Sequence, residues 1–212
     1  TLNTTVGSNV TVTLATSGTA TSGSDYSAVN NITIVAGQTT GTTTFAIVDD
    51  GLYEGNETVV IDISGVSGGS VTENGTQQST ITITENDAAP KVTMGTSPSS
   101  ITEGDGQSFT TTATLSAKTY QNVTVSFTAG GTATGGSDYG SISNITIAAG
   151  QTTGTMTITV ANDGVNEGGS GTYETILLNM TGVSGGGATE NGSQGDTLKT
   201  VSYTHLKLPT IY

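Results

Sequence analysis

The chain has 212 residues, room for one large domain or two of about 100, and sets 4 Lys plus Arg against 17 Asp plus Glu for a net charge of −13. Four basic side chains cannot track a phosphate backbone, which excludes nucleic acid as a partner, and the same deficit argues against binding anionic lipid. No apolar run approaches the ~20 residues of a membrane helix. The absence of cysteine excludes disulfide scaffolds and thiol nucleophiles, and a single histidine, His205, excludes a His-rich metal site.

In chain order, short runs alternate apolar residues with Thr: Val10–Leu14, Ile32–Ile34, Thr42–Val48, Thr58–Ile63 and Ile81–Ile83. This period of two reads as half-buried strands. Gly, Ser, Asn and Asp fill the gaps as turns and loops. The same series then returns. Asn9–Gly51 aligns without gaps on Asn122–Gly164, at an offset of 113, with 26 of 43 positions identical. The block Gly18-Thr-Ala-Thr-Ser-Gly-Ser-Asp25-Tyr26 returns as Gly131-Thr-Ala-Thr-Gly-Gly-Ser-Asp138-Tyr139. Beyond the insert Gly168–Gly171 the offset becomes 117. An internal repeat of this kind means two copies of one unit.

The second copy predicts strands over Val92–Ile101, Gln107–Leu115, Asn122–Thr128, Asn144–Ala148, Thr153–Val160, Tyr173–Met180 and from about Thr197 onward. Seven short strands without any helical period indicate an all-β chain of two tandem immunoglobulin-like antiparallel β-sandwiches. The first copy is truncated at its N-terminus: Thr1-Leu2 matches Thr114-Leu115, so it lacks its first two strands. The repeats span 1–87 and 91–200, joined by a linker at 88–90. The tail 201–212 does not fit the repeat and reads as foreign to it, like translated adapter read-through. The chain begins at Thr1 without a signal peptide and reads as a segment of something longer.

The acids are few and clustered. If successive strands run up and down, every second loop lies at the same end of a sandwich. That end collects Glu103 and Asp105, Asp138, then Asp163 and Glu167 in the second copy. In the first copy it collects Asp25, Asp49, Asp50, Glu54 and Glu57, and the last strand exits into Glu85-Asn86-Asp87. Carboxylates gathered this closely repel unless a cation neutralises them. Ca²⁺, which takes six to eight oxygens, does this best. Neither an EF-hand loop nor a Gly-Asp nonapeptide repeat is present, so the calcium site is of another kind.

At these residues the chain resembles the Calx-beta family, named from sodium–calcium exchangers and found as tandem repeats in large bacterial surface proteins. The resemblance rests on the Gly-Thr-Ala-Thr-x-Gly-Ser-Asp-Tyr block, Ala36-Gly-Gln-Thr-Thr-Gly41, Asp49-Asp50-Gly-x-x-Glu54-x-x-Glu57 and Ile81-Thr-Ile-Thr-Glu-Asn-Asp87. It implies an immunoglobulin-like sandwich that binds Ca²⁺ at one tip. The ligands it implies in the first copy are Asp25, Asp49, Asp50 and Glu54, with Glu85, Asn86 and Asp87 from the strand exit. In the second copy they are Glu103, Asp138, Asn162, Asp163 and Glu167. There are departures. Asn162 stands where the first copy has Asp49. The first copy has no counterpart of Glu103. Ser202, Tyr203 and Thr204 replace Glu85–Asp87.

The reading of function is a calcium-binding structural repeat of an extracellular or cell-surface protein, stiffening a tandem array in adhesion. Its partners are neighbouring repeats of the same parent chain, with no direct membrane insertion of this segment. The absence of cysteine suits a bacterial surface or secreted protein better than a disulfide-stapled ectodomain. Two alternatives stand beside it: a calcium sensor regulating an attached domain, and a glycan- or protein-binding module. The low aromatic content, 5%, offers the last no stacking platform. Acids on short tip loops lack the walls of a substrate cleft, which argues against an enzyme.

Overall fold

Thr and Ser alternate with Val, Ile and Leu along most of the chain, and strands place these two sets on opposite faces. The computed structural model describes residues 1–102, 107–161 and 173–201. The structure is all-β and divides into two units, Thr1–Asn86 and Asp87–Tyr212. Among the described residues no helix is long and apolar enough to cross a membrane.

The first unit carries β1 (Val10–Gly18), β2 (Ile32–Ile34), β3 (Glu57–Ser67) and β4 (Gln78–Ile83). They form one sheet in the order β2-β1-β3-β4, every pair antiparallel. Its core is small. Ala20, Tyr26 and Val59 are buried together, with Val29, Phe45, Ile61 and Ile83 half-buried against them.

The second unit carries β5 (Lys91–Ser97), β6 (Ser100–Thr102), β7 (Ser108–Leu115), β8 (Val123–Gly131), β9 (Ile145–Ile147), β10 (Thr153–Thr159), β11 (Tyr173–Ser184), β12 (Thr189–Glu190) and β13 (Gly195–Val201). One sheet runs β10-β7-β5-β12 and the other β6-β13-β11-β8-β9. Pairing is antiparallel except for β5 with β12 and β6 with β13. Alternate residues of both sheets meet in one core: Val92, Phe109 and Leu115 from the first sheet, Val125, Ile176, Leu178 and Leu198 from the second. This is the immunoglobulin-like arrangement.

The strand expected over Val92–Ile101 is split between the two sheets. Pro98 has no N–H for a ladder, so β5 stops at Ser97 and β6 joins the opposite sheet. A second correction concerns Thr42–Val48. This run is not a strand and makes only an isolated bridge, Ile47 with Tyr26. Its counterpart β10 pairs with β7, and of β7 residues 1–86 contain only the counterpart of its last two residues, Thr1-Leu2. A strand without a neighbour has no ladder to complete.

The two units share local details that place the acids. Both sheets carry the same bulge, Ser64 opposite Thr13/Leu14 in β1 and Thr181 opposite Ser126/Phe127 in β8. Both β1 and β8 end on a glycine of positive φ, Gly18 at +115° and Gly131 at +107°. A Cβ would lie 2.2 Å from the Thr58 carbonyl oxygen at the first and 2.1 Å from that of Thr175 at the second. Only glycine allows the backbones to cross there, and the next residues open the Asp25 and Asp138 loops.

Candidate metal centre

The Thr-x-Gly-Ser-Asp-Tyr segment folds on its own polar groups. The Asp25 N–H donates to the Thr21 carbonyl at 3.0 Å, and Asp25 Oδ2 accepts the Thr21 N–H at 2.5 Å. Gly23, at φ +98°, donates to the Tyr26 carbonyl at 2.8 Å. Tyr26 is buried and meets Phe45 edge-on, with centroids 5.8 Å apart. Asp25 is only 5% exposed, and its Oδ2 is fixed by the Thr21 N–H. The Asp138 loop has the same bonds: Thr134 N–H to Asp138 Oδ2 at 2.5 Å and Asp138 N–H to the Thr134 carbonyl at 2.9 Å. Removing that carboxylate leaves the Thr134 N–H, in a part-buried bond, without its acceptor. Asp138→Ala is expected to cost the second unit about 1–3 kcal/mol. Asp138→Asn, which keeps an acceptor oxygen, should lose less in the same denaturant titration.

Two further acids reach Asp25. Each of Asp25, Asp50 and Glu54 presents a carboxylate oxygen, all within 4.8 Å of one another. Asp50 Oδ1 accepts the Leu52 N–H at 3.0 Å, closing a tight turn that brings Glu54 back. Glu85, at the exit of β4, ties this loop to the sheet. Its Oε2 accepts the N–H groups of Glu54 (2.6 Å) and Gly55 (2.7 Å), and its own N–H donates to Asn56 Oδ1 at 3.0 Å. Its Oε1 accepts the Asn86 N–H at 2.9 Å.

The charges are mutually unfavourable. The Glu54 carboxyl is raised from 4.5 to about 7, by burial first and then by the negative charges of Asp25, Glu57, Asp50 and Glu85. Glu57 is also raised, by burial first and then by a hydrogen bond with the Asp25 side chain and the same neighbouring charges. Between pH 4.5 and 7 the folded chain thus holds a proton at Glu54 that the unfolded chain has released. Stability linked to this group is complete below pH 4.5 and is lost as pH rises through 7. In EDTA, the first unit is expected to melt at progressively lower temperature from pH 4.5 to 7. Glu54→Gln should flatten that slope, and an unchanged slope in the variant would refute the assignment.

A cation that replaced the proton would remove the same repulsion. Oxygens sharing one Ca²⁺ at 2.3–2.6 Å lie at most about 5.2 Å apart, so the 4.8 Å spacing of Asp25, Asp50 and Glu54 fits one ion. An all-oxygen, carboxylate-rich set suits Ca²⁺ or Mg²⁺, not a thiolate- or imidazole-preferring metal.

The remaining candidates fall out as follows. Asp49 is exposed and stands outside the group of three. Glu85 and Asn86 belong to the frame of the loop through the bonds above. Asp87 is half-buried and falls in the second unit. Asp138 keeps its loop, but Glu103, Asn162, Asp163 and Glu167 lie outside the described residues. The residue that sequence reasoning left out of the ligand set is Glu57, at the start of β3. Its signal was the repeat: at the offset of 117, Glu57 returns as Glu174 at the start of β11, half-buried like Glu57.

The sequence profile of the Calx-beta domain matches residues 1–87 and again 85–184. Among solved structures, the chain is similar to the apo form of the Calx CBD1 domain, at 18% identity over 54% of this chain and 99% of that one, with a TM-score of 0.43. It is similar to CBD12 from CALX1.2 at 16% identity over 86% and 71% of the two chains, with a TM-score of 0.34. It is also similar to the calcium binding domain CBD12 of CALX1.1, at 11% identity over 93% and 88%, with a TM-score of 0.33. No curated protein matches.

Proposed function

This chain belongs to the Calx-beta domain family, and on that premise we propose that it is a pair of calcium-binding repeat modules that stiffen a longer extracellular or cell-surface chain. The reading is supported above all by the convergence of Asp25, Asp50 and Glu54 within 4.8 Å. Asp25 is the rigid ligand, because its loop holds it. Asp50 and Glu54 close on the ion from the loop before β3. Glu57 completes the negative field beside Asp25. Glu85 positions the loop through the Glu54 and Gly55 N–H groups.

The role is electrostatic and not catalytic. Without Ca²⁺ the carboxylates repel one another and the tip loops loosen. With it they draw together and tie the exit of β4 to the rest of the first unit. Stiffening follows because the chain leaves the first repeat at Glu85–Asp87 and enters the next within a few residues. A site made of loop carboxylates suits the 10⁻⁴–10⁻³ M affinities of extracellular modules, which is why an extracellular setting is proposed. The partners are the neighbouring repeats of the same chain.

Calorimetric titration of the full chain with Ca²⁺, with Mg²⁺ as control, tests binding. An absence of calcium-selective heat up to several millimolar would end the reading. Small-angle scattering of the same chain tests stiffening separately: the maximum dimension and its spread should change on adding Ca²⁺. Binding without such a change would leave a calcium-binding module that is no stiffener.

A further inference from the structure

We propose that the loop between β7 and β8 is a docking surface for the acidic loop 49–57 of a second copy of this chain, with Lys118 and Tyr120 making the contact. Three observations converge on it. The loop is held rigidly, its exposed side chains are special to the second unit, and their charge matches one place on the chain.

The loop covers residues 116–122, and one buried residue holds it. Thr119 has no exposed surface. Its Oγ1 donates to the Gln121 carbonyl at 2.6 Å, and its own carbonyl accepts the Gly150 N–H at 2.8 Å. A Cβ on Gly186 would lie 2.7 Å from that of Thr119, so the turn after β11 packs directly on it. Asn122 Oδ1 accepts the Ala149 N–H at 2.9 Å. With Thr119 fixed inward, its neighbours Lys118 and Tyr120 stand in solvent, Tyr120 at 43% exposed.

The first unit has the same frame without them. Val6 takes the place of Thr119: its carbonyl accepts the Gly37 N–H at 2.9 Å, and a Cβ on Gly69 would meet its side chain at 2.9 Å. Asn9 Oδ1 accepts the Ala36 N–H at 2.9 Å, as Asn122 does that of Ala149. The flanking residues there are Thr5 and Gly7. The frame thus needs neither a lysine nor a tyrosine, and both are additions to it. Loops on a rigid scaffold are where binding side chains concentrate, and a tyrosine held there offers a large contact area at small entropic cost.

Charge selects the partner. The chain sets 4 basic side chains against 17 acidic ones. Of the three lysines among the described residues, Lys91, Lys118 and Lys199, the first two share this end. Lys91 donates its N–H to Ser116 Oγ and accepts the Ser116 N–H, both at 2.9 Å, which places it beside the loop. β8 runs from this loop to the Asp138 loop, so both lysines stand at the end of the unit away from that acid. Residues 49–57 carry four carboxylates, with Asp49 and Asp50 exposed and Leu52 and Tyr53 half-buried beside them. Lys118 meets the carboxylates, and Tyr120 meets Leu52 and Tyr53. Each copy carries one surface of each kind, so the contact is heterologous, and association passes beyond a dimer unless a ring closes.

The test is sedimentation of the full chain in EDTA and low salt, which makes the outcome independent of calcium binding. The weight-average mass should rise with concentration, with a Kd of about 1 mM or tighter, and the amide resonances of Lys118 and Tyr120 should shift with it. About 1 M salt, where the Debye length is about 3 Å, should abolish the rise. Lys118→Glu sets like charges together and should weaken association about tenfold or more. Tyr120→Ala should do the same through lost contact area. Both are exposed loop positions, so neither variant should unfold the unit. Adding Asp49→Lys to Lys118→Glu should restore association. A constant mass up to about 1 mM chain overturns the proposal. So does a rise that survives Lys118→Glu, or resonance shifts at Lys118 and Tyr120 that do not vary with concentration. A double variant that stays monomeric takes the acidic loop out of the contact and overturns it equally.

Discussion

Phe109→Ala is expected to lower the stability of the second unit by about 3–5 kcal/mol, the cost of deleting a fully buried aromatic side chain from a core that collapses only partly. Phe109 has no exposed surface. It sits on β7, the strand between β10 and β5, and its ring lies in the core shared with Ile158 of β10 and Leu178 of the facing sheet. The cavity therefore opens where the two sheets of the unit meet. The chain has two units, so a single melting midpoint is not a safe readout. Hydrogen exchange resolved by residue should show faster exchange across β7, β8, β10 and β11, with the amides of β1 and β3 unchanged. A loss below about 1 kcal/mol is what an exposed site would give, and would show that β7 is not packed as described.

Phe109 also shows what a period-2 pattern can and cannot convey. Alternation reports which face of a strand is apolar, and the inward positions of β7, β8, β10 and β11 follow from it directly. It does not report whether a neighbouring strand is present. Thr42–Val48 has the alternation of β10 and yet forms no ladder, because pairing is a long-range fact and residues 1–86 offer nothing to pair with. The break at Pro98 is local and was available from the missing N–H. The acidic site divides along the same line. The repeat and the up-and-down order of strands imply that the loops bearing Asp25, Asp50 and Glu54 share one end. Neighbours in sequence are another matter: Asp49 and Asp50 carry the same charge, but the turn closed by Asp50 Oδ1 on the Leu52 N–H brings only Asp50 to Asp25 and Glu54. Glu57 was legible as an acid of the same end but not as a repeated one, because the four-residue insert moves its counterpart Glu174 from the offset of 113 to that of 117.

That difference between Asp49 and Asp50 supplies the sharpest test of the calcium reading. A ligand present at 100 times its Kd adds about 2.7 kcal/mol to the state that binds it, which raises the midpoint of a domain of this size by about 10 °C or more. The first unit is expected to show this rise on passing from EDTA to about 10 mM Ca²⁺, if its Kd is about 10⁻⁴ M. Mg²⁺ should give much less, because it demands a tighter octahedral shell and keeps its waters. Asp50→Asn should abolish most of the rise. In EDTA the same substitution should leave the first unit as stable or more so, because it removes one of the charges that crowd Glu54. A ligand thus changes the sign of its effect with calcium. Asp49→Asn removes the same charge from the adjacent position but should keep the full calcium response. If the two variants behave alike, the acids act only as diffuse surface charge and the group Asp25, Asp50 and Glu54 is no site. If only Asp50→Asn loses the response, the ion is held where the loop geometry gathers these three carboxylates.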